Sequence, residues 1–145
     1  MKKLFLLTLM SSSIFLNAEL WKDYEPSEQQ IQLTVIDVQP NYLDYYLVNL
    51  NKTWVKTMEV QKDLGHIVDY GVFTSDGASS PNVWLTVTYA DMASMRPSKT
   101  KYDAVNAELS KRYGDNVEEL DKISKGYEEI RTMIDNQRIN QVIFK

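Results

Sequence analysis

The feature that most constrains the fold is a pair of alternating apolar segments between His66 and Ala90. They flank a loop at residues 75–82 that is rich in Ser, Gly, Pro and Asn. Alternation places successive side chains on opposite faces of a β-strand, and the residue types of the loop favour a chain reversal. The segment therefore predicts a β-hairpin at the centre of the domain.

The strand after this loop has two different faces. The aliphatic face consists of Val83, Leu85 and Val87, and the opposite face consists of Trp84, Thr86 and Thr88. The aliphatic face suits the core of a single domain. The other face is too apolar to be left in water and needs a covering that one copy of the chain does not supply.

Upstream, Gln30–Val38 also alternates and predicts a strand. We expect Ile31, Leu33 and Val35 to face the helices, and Gln32, Thr34 and Ile36 to lie on the other face. A helix follows from Tyr42 to Leu64, capped by Asn41, weakened near residues 49–53 and ended by Gly65.

Downstream of the hairpin, a short helix is expected to begin at Thr100, with Asp103 completing its cap, and to end at Gly114. Asp115 then caps a longer helix, whose apolar stripe is expected to continue to Ile134. Residues 139–145 form a short closing strand. Residues 19–29 show no sustained period and are expected to be an N-terminal arm.

The order of these elements is strand, helix, strand, strand, two helices, strand. It predicts one α+β domain at residues 30–145 with a ferredoxin-like βαββααβ arrangement: a four-stranded antiparallel sheet with helices on one face. The second strand contributes either Val68, Tyr70 and Val72 or Ile67, Asp69 and Phe73 to the uncovered face. With either set the face stays apolar, so we expect a homodimer formed through it.

The first 18 residues have the layout of a secretory signal peptide. Lys2 and Lys3 precede an apolar run, and the small residue Ala18 fits a cleavage site. The run is far shorter than the roughly 20 residues that span a bilayer. We expect cleavage after Ala18, no stable membrane insertion afterwards, and a periplasmic or extracellular location.

Composition excludes several classes of function. Without Lys2 and Lys3 the chain has 14 basic and 20 acidic residues, a balance that opposes binding to nucleic-acid phosphates. The absence of cysteine excludes a thiol nucleophile and a cysteine metal site. A single histidine, His66, excludes a histidine-rich zinc site, and no acidic run has the spacing of a calcium loop.

His66 is the natural candidate for a general base or a haem ligand, with Asp69 as its nearest acidic partner. Residues three apart on a strand point to opposite faces, so the two do not form a dyad, and we expect His66 to have a structural role. The chain contains no Gly-x-Ser-x-Gly elbow and no phosphate-binding glycine loop. We expect no cofactor and no metal.

The candidate binding residues combine an apolar surface with a few hydrogen-bonding groups, as small-molecule pockets do. They are Trp84, Thr86, Thr88, Gln32, Thr34 and Tyr70. Tryptophan is also a common interface anchor. The sequence leaves open whether this face closes a dimer interface or lines a ligand cavity.

The segment Asp69-Tyr-Gly-Val-Phe73, the loop that follows it and the segment Val83-Trp-Leu-Thr-Val-Thr-Tyr-Ala-Asp91, together with the Trp54-bearing helix, resemble the secreted members of the dimeric α/β-barrel superfamily. The resemblance covers residues 30–145. It implies a dimer of ferredoxin-like domains with a cavity between the sheets or between sheet and helices. That superfamily includes cofactor-independent monooxygenases and many uncharacterised proteins, and none of its catalytic motifs is found in this chain.

Two functional hypotheses follow. We favour an exported, non-catalytic homodimer that binds a small, partly apolar molecule between its layers. The alternative is a cofactor-independent monooxygenase or isomerase in which Trp84, Tyr70 and His66 orient the substrate. A structural or partner-binding protein is a third class, and it would show no ligand-sized void.

Overall fold

The computed structural model of the protein describes residues 19–76, 80–114 and 116–145. The predicted signal peptide and the predicted cap Asp115 lie outside the described residues, as do residues 77–79 of the hairpin loop. Along the chain the elements are β1 (Tyr24–Pro26), β2 (Gln30–Val38), α1 (Leu43–Leu50), a π-helical turn (Asn51–Val55), α2 (Lys56–Asp63), β3 (Asp69–Thr74), β4 (Val83–Tyr89), α3 (Lys99–Tyr113), α4 (Val117–Ile130), β5 (Arg131–Ile139) and β6 (Val142–Phe144).

Four strands form one antiparallel sheet in the order β3-β4-β2-β5. The first and third strands of this set, β2 and β4, are central. The edge strand β3 follows the helix after β2 and pairs with β4, and the edge strand β5 follows the two helices after β4 and pairs with β2. This is the strand order of a split βαβ motif. The fold is ferredoxin-like, and the predicted class is confirmed.

The predicted hairpin is confirmed as β3 and β4, which pair from Asp69 with Thr88 to Thr74 with Val83. Asn82 ties the end of its loop to β2. The side-chain Oδ1 of Asn82 accepts a hydrogen bond from the Val38 N–H at 2.9 Å, and its Nδ2 donates to the Val38 carbonyl at 2.8 Å. The amide side chain thus extends the β2–β4 ladder beyond the last paired residues.

The core lies between the sheet and the helices. Its largest cluster joins aliphatic residues of β2 and β4 to residues of α1 and α4. The buried members are Ile36, Val38, Val83, Leu85, Tyr46, Leu50, Tyr127 and Ile130. A second cluster of Met58, Ile67 and Val87 packs under α2. The expected core face of β4 is confirmed.

The expected core face of β2 is wrong. Directly paired residues in an antiparallel ladder point to the same side of the sheet. Val35 pairs with Trp84 and Ile36 pairs with Val83, so Ile36 faces the helices and Val35 does not. Both parities of β2 carry aliphatic residues, and the pattern of one strand does not distinguish them. The positions of Ile36 and Val38 show which set of β2 residues faces the core, because both lie where α1 and α4 cover the sheet.

The side of the sheet opposite the helices is called the open face below. It joins residues from all four strands: Ile31, Leu33, Val35, Asp69, Gly71, Phe73, Trp84, Thr86, Thr88, Asp135, Gln137 and Ile139. Of the two sets left open for β3, Asp69 and Phe73 of the second set face this side, whereas Ile67 of the same set packs in the core under α2. The expectation that Gln32 and Thr34 share this face with Trp84 is wrong, since they pair with Val87 and Leu85.

The predicted first helix is present, and its expected weak point is a π-helical turn at Asn51–Val55. Gly65 has φ = 71°, a left-handed conformation that glycine adopts without steric cost, and the predicted stop at this residue is confirmed. The predicted cap is wrong. Tyr42 holds the N-cap position without a side-chain hydrogen bond, because Asn41 lies one residue too early.

Two further boundaries differ from expectation. Ser98 caps α3 through a hydrogen bond that its Oγ accepts from the Lys101 N–H, so the helix begins before Thr100. The stop of α3 at Gly114 is confirmed. The stripe of α4 ends at Ile130, and the chain continues directly as β5, which is held by pairing with β2.

The long β5 replaces the predicted closing strand. Ile134 continued the helical spacing by coincidence, and it lies where a β-bulge interrupts the register between Asp135 and Met133. The arm at residues 19–29 is also more ordered than expected. Its Tyr24–Pro26 segment pairs with Val142–Phe144 as a small two-stranded sheet beyond the β2–β5 ladder.

Candidate functional site

A cleft of about 680 Å³ lies between the helices and the helix-facing side of β4, and we call it the helix–sheet cleft. Its walls come from the π-helical turn and the start of α2, from β4, from α3, from α4 and from the first residue of β5. Apolar and aromatic side chains predominate: Leu50, Trp54, Leu85, Tyr102, Leu109, Tyr113, Leu120 and Tyr127. Hydroxyl and amide groups come from Thr53, Thr57, Asn106, Ser110 and Ser124.

The π-helical turn brings Thr53 and Trp54 into this wall. In an α-helix, residues four apart drift by about 40° around the axis, because each residue advances about 100°. A π-helical turn contains more residues than an α-helical turn, and this offsets the drift. Leu50, Trp54 and Met58, which are four residues apart, therefore all stay on the core side. π-Helical turns inside α-helices are frequent at functional sites.

Hydrogen bonds fix Thr53 against the opposite wall. Its Oγ1 lies 2.8 Å from the Tyr127 hydroxyl of α4 and donates to the Asn49 carbonyl at 3.0 Å. Either hydroxyl can be the donor of the 2.8 Å bond. The contact joins the π-helical turn to α4 across one side of the cleft.

Arg131 lies at the end of the cleft nearest α4. Its Nη1 donates to the Tyr46 hydroxyl at 2.8 Å. The guanidinium carbon is 4.8 Å from the centroid of the Tyr127 ring and 5.5 Å from that of Tyr46, and the two rings meet edge to face at 5.1 Å. Cation–π contacts of this kind stabilise a partly desolvated cation.

The charged side chains in the described lining of the cleft are all basic. Its lining includes three basic side chains, Lys52, Lys56 and Arg131, and no Asp, Glu or His among the residues that the structure describes. The Lys56 Nζ lies 4.3 Å from the centroid of the Tyr113 ring. In a chain with more acidic than basic residues, the described lining thus carries a local excess of positive charge.

The tyrosines of the cleft favour the protonated state. Burial raises the pKa of the Tyr46 hydroxyl, and Arg131 offsets that effect only in part. Burial also raises the pKa of Tyr127, against the lowering effect of its hydrogen bond to Thr53. Both groups therefore act as hydrogen-bonding phenols at neutral pH. Neither is suited to accept a proton as a general base.

The six residues predicted as a binding set are divided between the two sides of the sheet. Trp84, Thr86 and Thr88 lie on the open face, whereas the other three lie on the helix side. There Gln32 donates to the Asn136 Oδ1 at 3.2 Å. The Tyr70 ring meets Trp54 edge to face at 5.7 Å. The described lining of the helix–sheet cleft contains none of the six.

The open face presents an apolar surface. Phe73 is 55% exposed and Ile139 is 36% exposed, while Ile31, Leu33 and Trp84 are half-buried. The Phe73 ring lies over Gly71, where an added Cβ would come within 2.6 Å of the ring. Glycine at this position therefore lets the ring lie flat and extends the apolar surface toward the edge of the sheet.

His66 lies outside the helix–sheet cleft, in a groove of about 370 Å³ between α2, the connector after β4 and α3. Its Nδ1 is buried and has no hydrogen-bond partner among the described residues. Burial lowers the pKa of the imidazole, and the positive charge of Lys101 lowers it further. Asp69 instead forms an ion pair with Lys62 at 2.7 Å.

Within the described ranges, no group of three or more His, Cys, Asp or Glu side chains is arranged to hold a metal ion. No helix among the same residues is long and apolar enough to cross a membrane.

Sequence reasoning missed Arg131, because the spacing of apolar residues assigned it to a helix. It treated Leu109, Tyr113, Leu120 and Tyr127 as ordinary core positions. The one local signal for the cleft was the weak segment at residues 49–53, since an interruption in a long amphipathic helix commonly marks a functional turn.

Comparison with known proteins adds information on the fold. No family model matches the chain, and no curated protein matches it. Among solved structures, HapK of Hahella chejuensis is 10% identical, with a TM-score of 0.46 over 77% of this chain and 91% of HapK. Two proteins from uncultured marine organisms, each described as a dimeric ferredoxin-like protein, are 16% and 11% identical.

For the first of these two proteins the TM-score is 0.41, with 81% of this chain and 96% of that protein covered. For the second it is 0.44, with 81% and 90% covered. The similarity concerns the fold alone.

Proposed function

We propose that this protein is an exported, homodimeric, non-catalytic binding protein that holds a small, largely apolar molecule in the helix–sheet cleft. The observation that carries the proposal is the cleft itself. Its volume of about 680 Å³ falls within the range of about 300–1,000 Å³ typical of small-molecule sites. Of the two locations that the sequence left open for a cavity, the proposal takes the one between sheet and helices.

The lining supports binding of an apolar ligand. Trp54, Tyr102 and Tyr113 offer aromatic surface, and the Thr53–Tyr127 pair offers fixed hydrogen-bonding groups. A few oriented polar groups on an apolar wall are what a selective small-molecule site requires. The lining therefore suits a flat ring system with one polar substituent.

The chemistry of the lining favours binding over catalysis. An acid–base enzyme needs a group that exchanges a proton near neutral pH within reach of its substrate. The described lining holds no histidine or carboxylate, and burial raises the pKa values of Tyr46 beside the cleft and Tyr127 within it. The rival monooxygenase or isomerase hypothesis lacks such a group in the described part of the cleft.

The homodimer is supported by the open face. Exposed Phe73 and Ile139 flank half-buried Leu33 and Trp84, so large apolar side chains of this face reach from one edge strand to the other. A second copy of the same sheet would remove this surface from water. Export is supported by the signal-peptide layout of residues 1–18.

Binding is tested with 2-naphthalenemethanol, a neutral aromatic probe, by isothermal titration calorimetry on the chain without residues 1–18. We expect one site per chain with a Kd of about 1 mM or tighter, as its size allows. In Asn106→Trp the indole enters the cleft, and binding should be lost. The matched control is Ala107→Trp, at the neighbouring exposed position of α3, which does not line the cleft.

Equal binding by both variants would place the probe elsewhere and would exclude the cleft as the site. No binding by the unsubstituted chain would remove the basis of the proposed function.

A further inference from the structure

We infer that the ligand of the helix–sheet cleft carries a carboxylate or a similar anionic group, and that Arg131 binds this group. The inference rests on the proposed function and specifies the chemical class of the ligand: a small aromatic or aliphatic acid.

The first observation is the state of Arg131. Its described partners are the Tyr46 hydroxyl and the faces of two tyrosine rings. No described carboxylate forms an ion pair with its guanidinium. Arg112, in contrast, contacts both Asp63 and Glu108. A partly buried cation without a described anion is a costly arrangement, because burial removes water from the charge.

The second observation is the geometry of the guanidinium. An arginine carries five N–H donors in a planar fork, and the Tyr46 hydroxyl takes one of them. No other hydrogen bond from the guanidinium to a described residue occupies the remaining donors. The side chain lines the cleft, so these donors are available to a ligand there. A carboxylate matches two parallel donors of such a fork.

The third observation is the sign of the surroundings. Lys52 and Lys56 line the same cleft, and no described acidic side chain does. An anion entering the cleft therefore meets three positive charges and no described negative one. A ligand with a cationic group would be repelled, and a neutral ligand would gain no charge-assisted hydrogen bond from Arg131.

Two probes of the same shape test the inference. 2-Naphthoate and 2-naphthalenemethanol share a ring system and differ in the charge of the substituent. Calorimetry on the chain without residues 1–18 should show that 2-naphthoate binds about tenfold tighter, the effect of a charge-assisted hydrogen bond. In Arg131→Gln the preference for 2-naphthoate over 2-naphthalenemethanol should disappear, and a circular dichroism spectrum equal to that of the unsubstituted chain checks that the variant is folded.

Arg138→Gln is the matched control. Arg138 lies on the same strand, its Nη1 contacts the Met92 sulfur, and it does not line the cleft. This variant should keep the tenfold preference. Equal affinities of the unsubstituted chain for the two probes, or a preference that survives Arg131→Gln, would overturn the inference and leave the proposed function standing. Failure of both probes to bind would instead overturn the proposed function.

Discussion

Single residues decide the character of the cleft. Arg131 joins the sheet to two helices, because its guanidinium contacts Tyr46 of α1 and Tyr127 of α4. Thr53 makes a second cross-connection through the Tyr127 hydroxyl. The tyrosines thus support the wall of the site and hold a partly buried guanidinium in place. The Thr53–Tyr127 and Tyr46–Arg131 contacts join residues 74 and 85 positions apart, separations that no local sequence pattern reports.

His66 gives a prediction for pH dependence. Burial holds its pKa below the ordinary value of 6.5, so the unfolded chain takes up a proton at a higher pH than the folded chain does. The free energy of unfolding should therefore fall as the pH decreases from about 7 to about 5. Chemical denaturation of His66→Gln should show a shallower decrease over the same range.

A difference in pH dependence between the two proteins can be assigned to an imidazole at one position, because His66 is the only histidine of the chain. Equal slopes for His66→Gln and the unsubstituted chain would show that the folded protein does not discriminate against the charged imidazole.

At the scale of the elements, the sequence predicted the order of strands and helices around the central hairpin, because alternation and helical spacing are strong in β4 and in the first helix. The sequence-based prediction was wrong where the same residues fit two structural patterns. Ile134 fits both a helical stripe and a strand, and only the pairing of β5 with β2 decides between them. Ile36 and Val35 are both aliphatic, and only the cover provided by the helices shows which one belongs to the core.

The helix layer gives a prediction for stability. Val60 of α2 is 0% exposed, whereas Val48 of α1 is 58% exposed. Val60→Ala removes buried methyl groups and should lower the free energy of unfolding by about 1–3 kcal/mol. Val48→Ala, which has the same change in helix propensity, should stay within about 0.5 kcal/mol of the unsubstituted chain. Urea denaturation measures both, and equal losses would contradict the burial of α2 against the sheet.

At the scale of the whole molecule, the sheet separates two functions. Its helix side forms the core and one wall of the cleft, and its open face is left for a second copy of the chain. The sequence indicated this two-sidedness from Trp84, Thr86 and Thr88. It did not locate the cleft, since a cavity between layers depends on how α3 and α4 are spaced from the sheet, and apolar periodicity does not encode that distance.

The dimer prediction concerns Phe73. Its side chain is 55% exposed in a single chain, so Phe73→Glu should leave the monomer folded. In the dimer the substitution would bury a charge in an apolar interface, which is strongly unfavourable. Light scattering at micromolar concentration should give a dimeric mass for the chain without residues 1–18 and a monomeric mass for Phe73→Glu.

The control is Tyr45→Glu, at an aromatic residue of α1 that is 61% exposed in the helix layer, and it should remain dimeric. A monomeric mass for the unsubstituted chain would remove the argument that the open face is an interface.

The central claim is that a small apolar molecule binds between the helix layer and the sheet. A crystal structure of the chain without residues 1–18, grown with 2-naphthalenemethanol, tests it most directly. We predict electron density for the naphthalene ring between Trp54, Leu85 and Leu109, within the helix–sheet cleft. Density for the ring on the open face against Trp84, with the cleft holding only water, would contradict the claim.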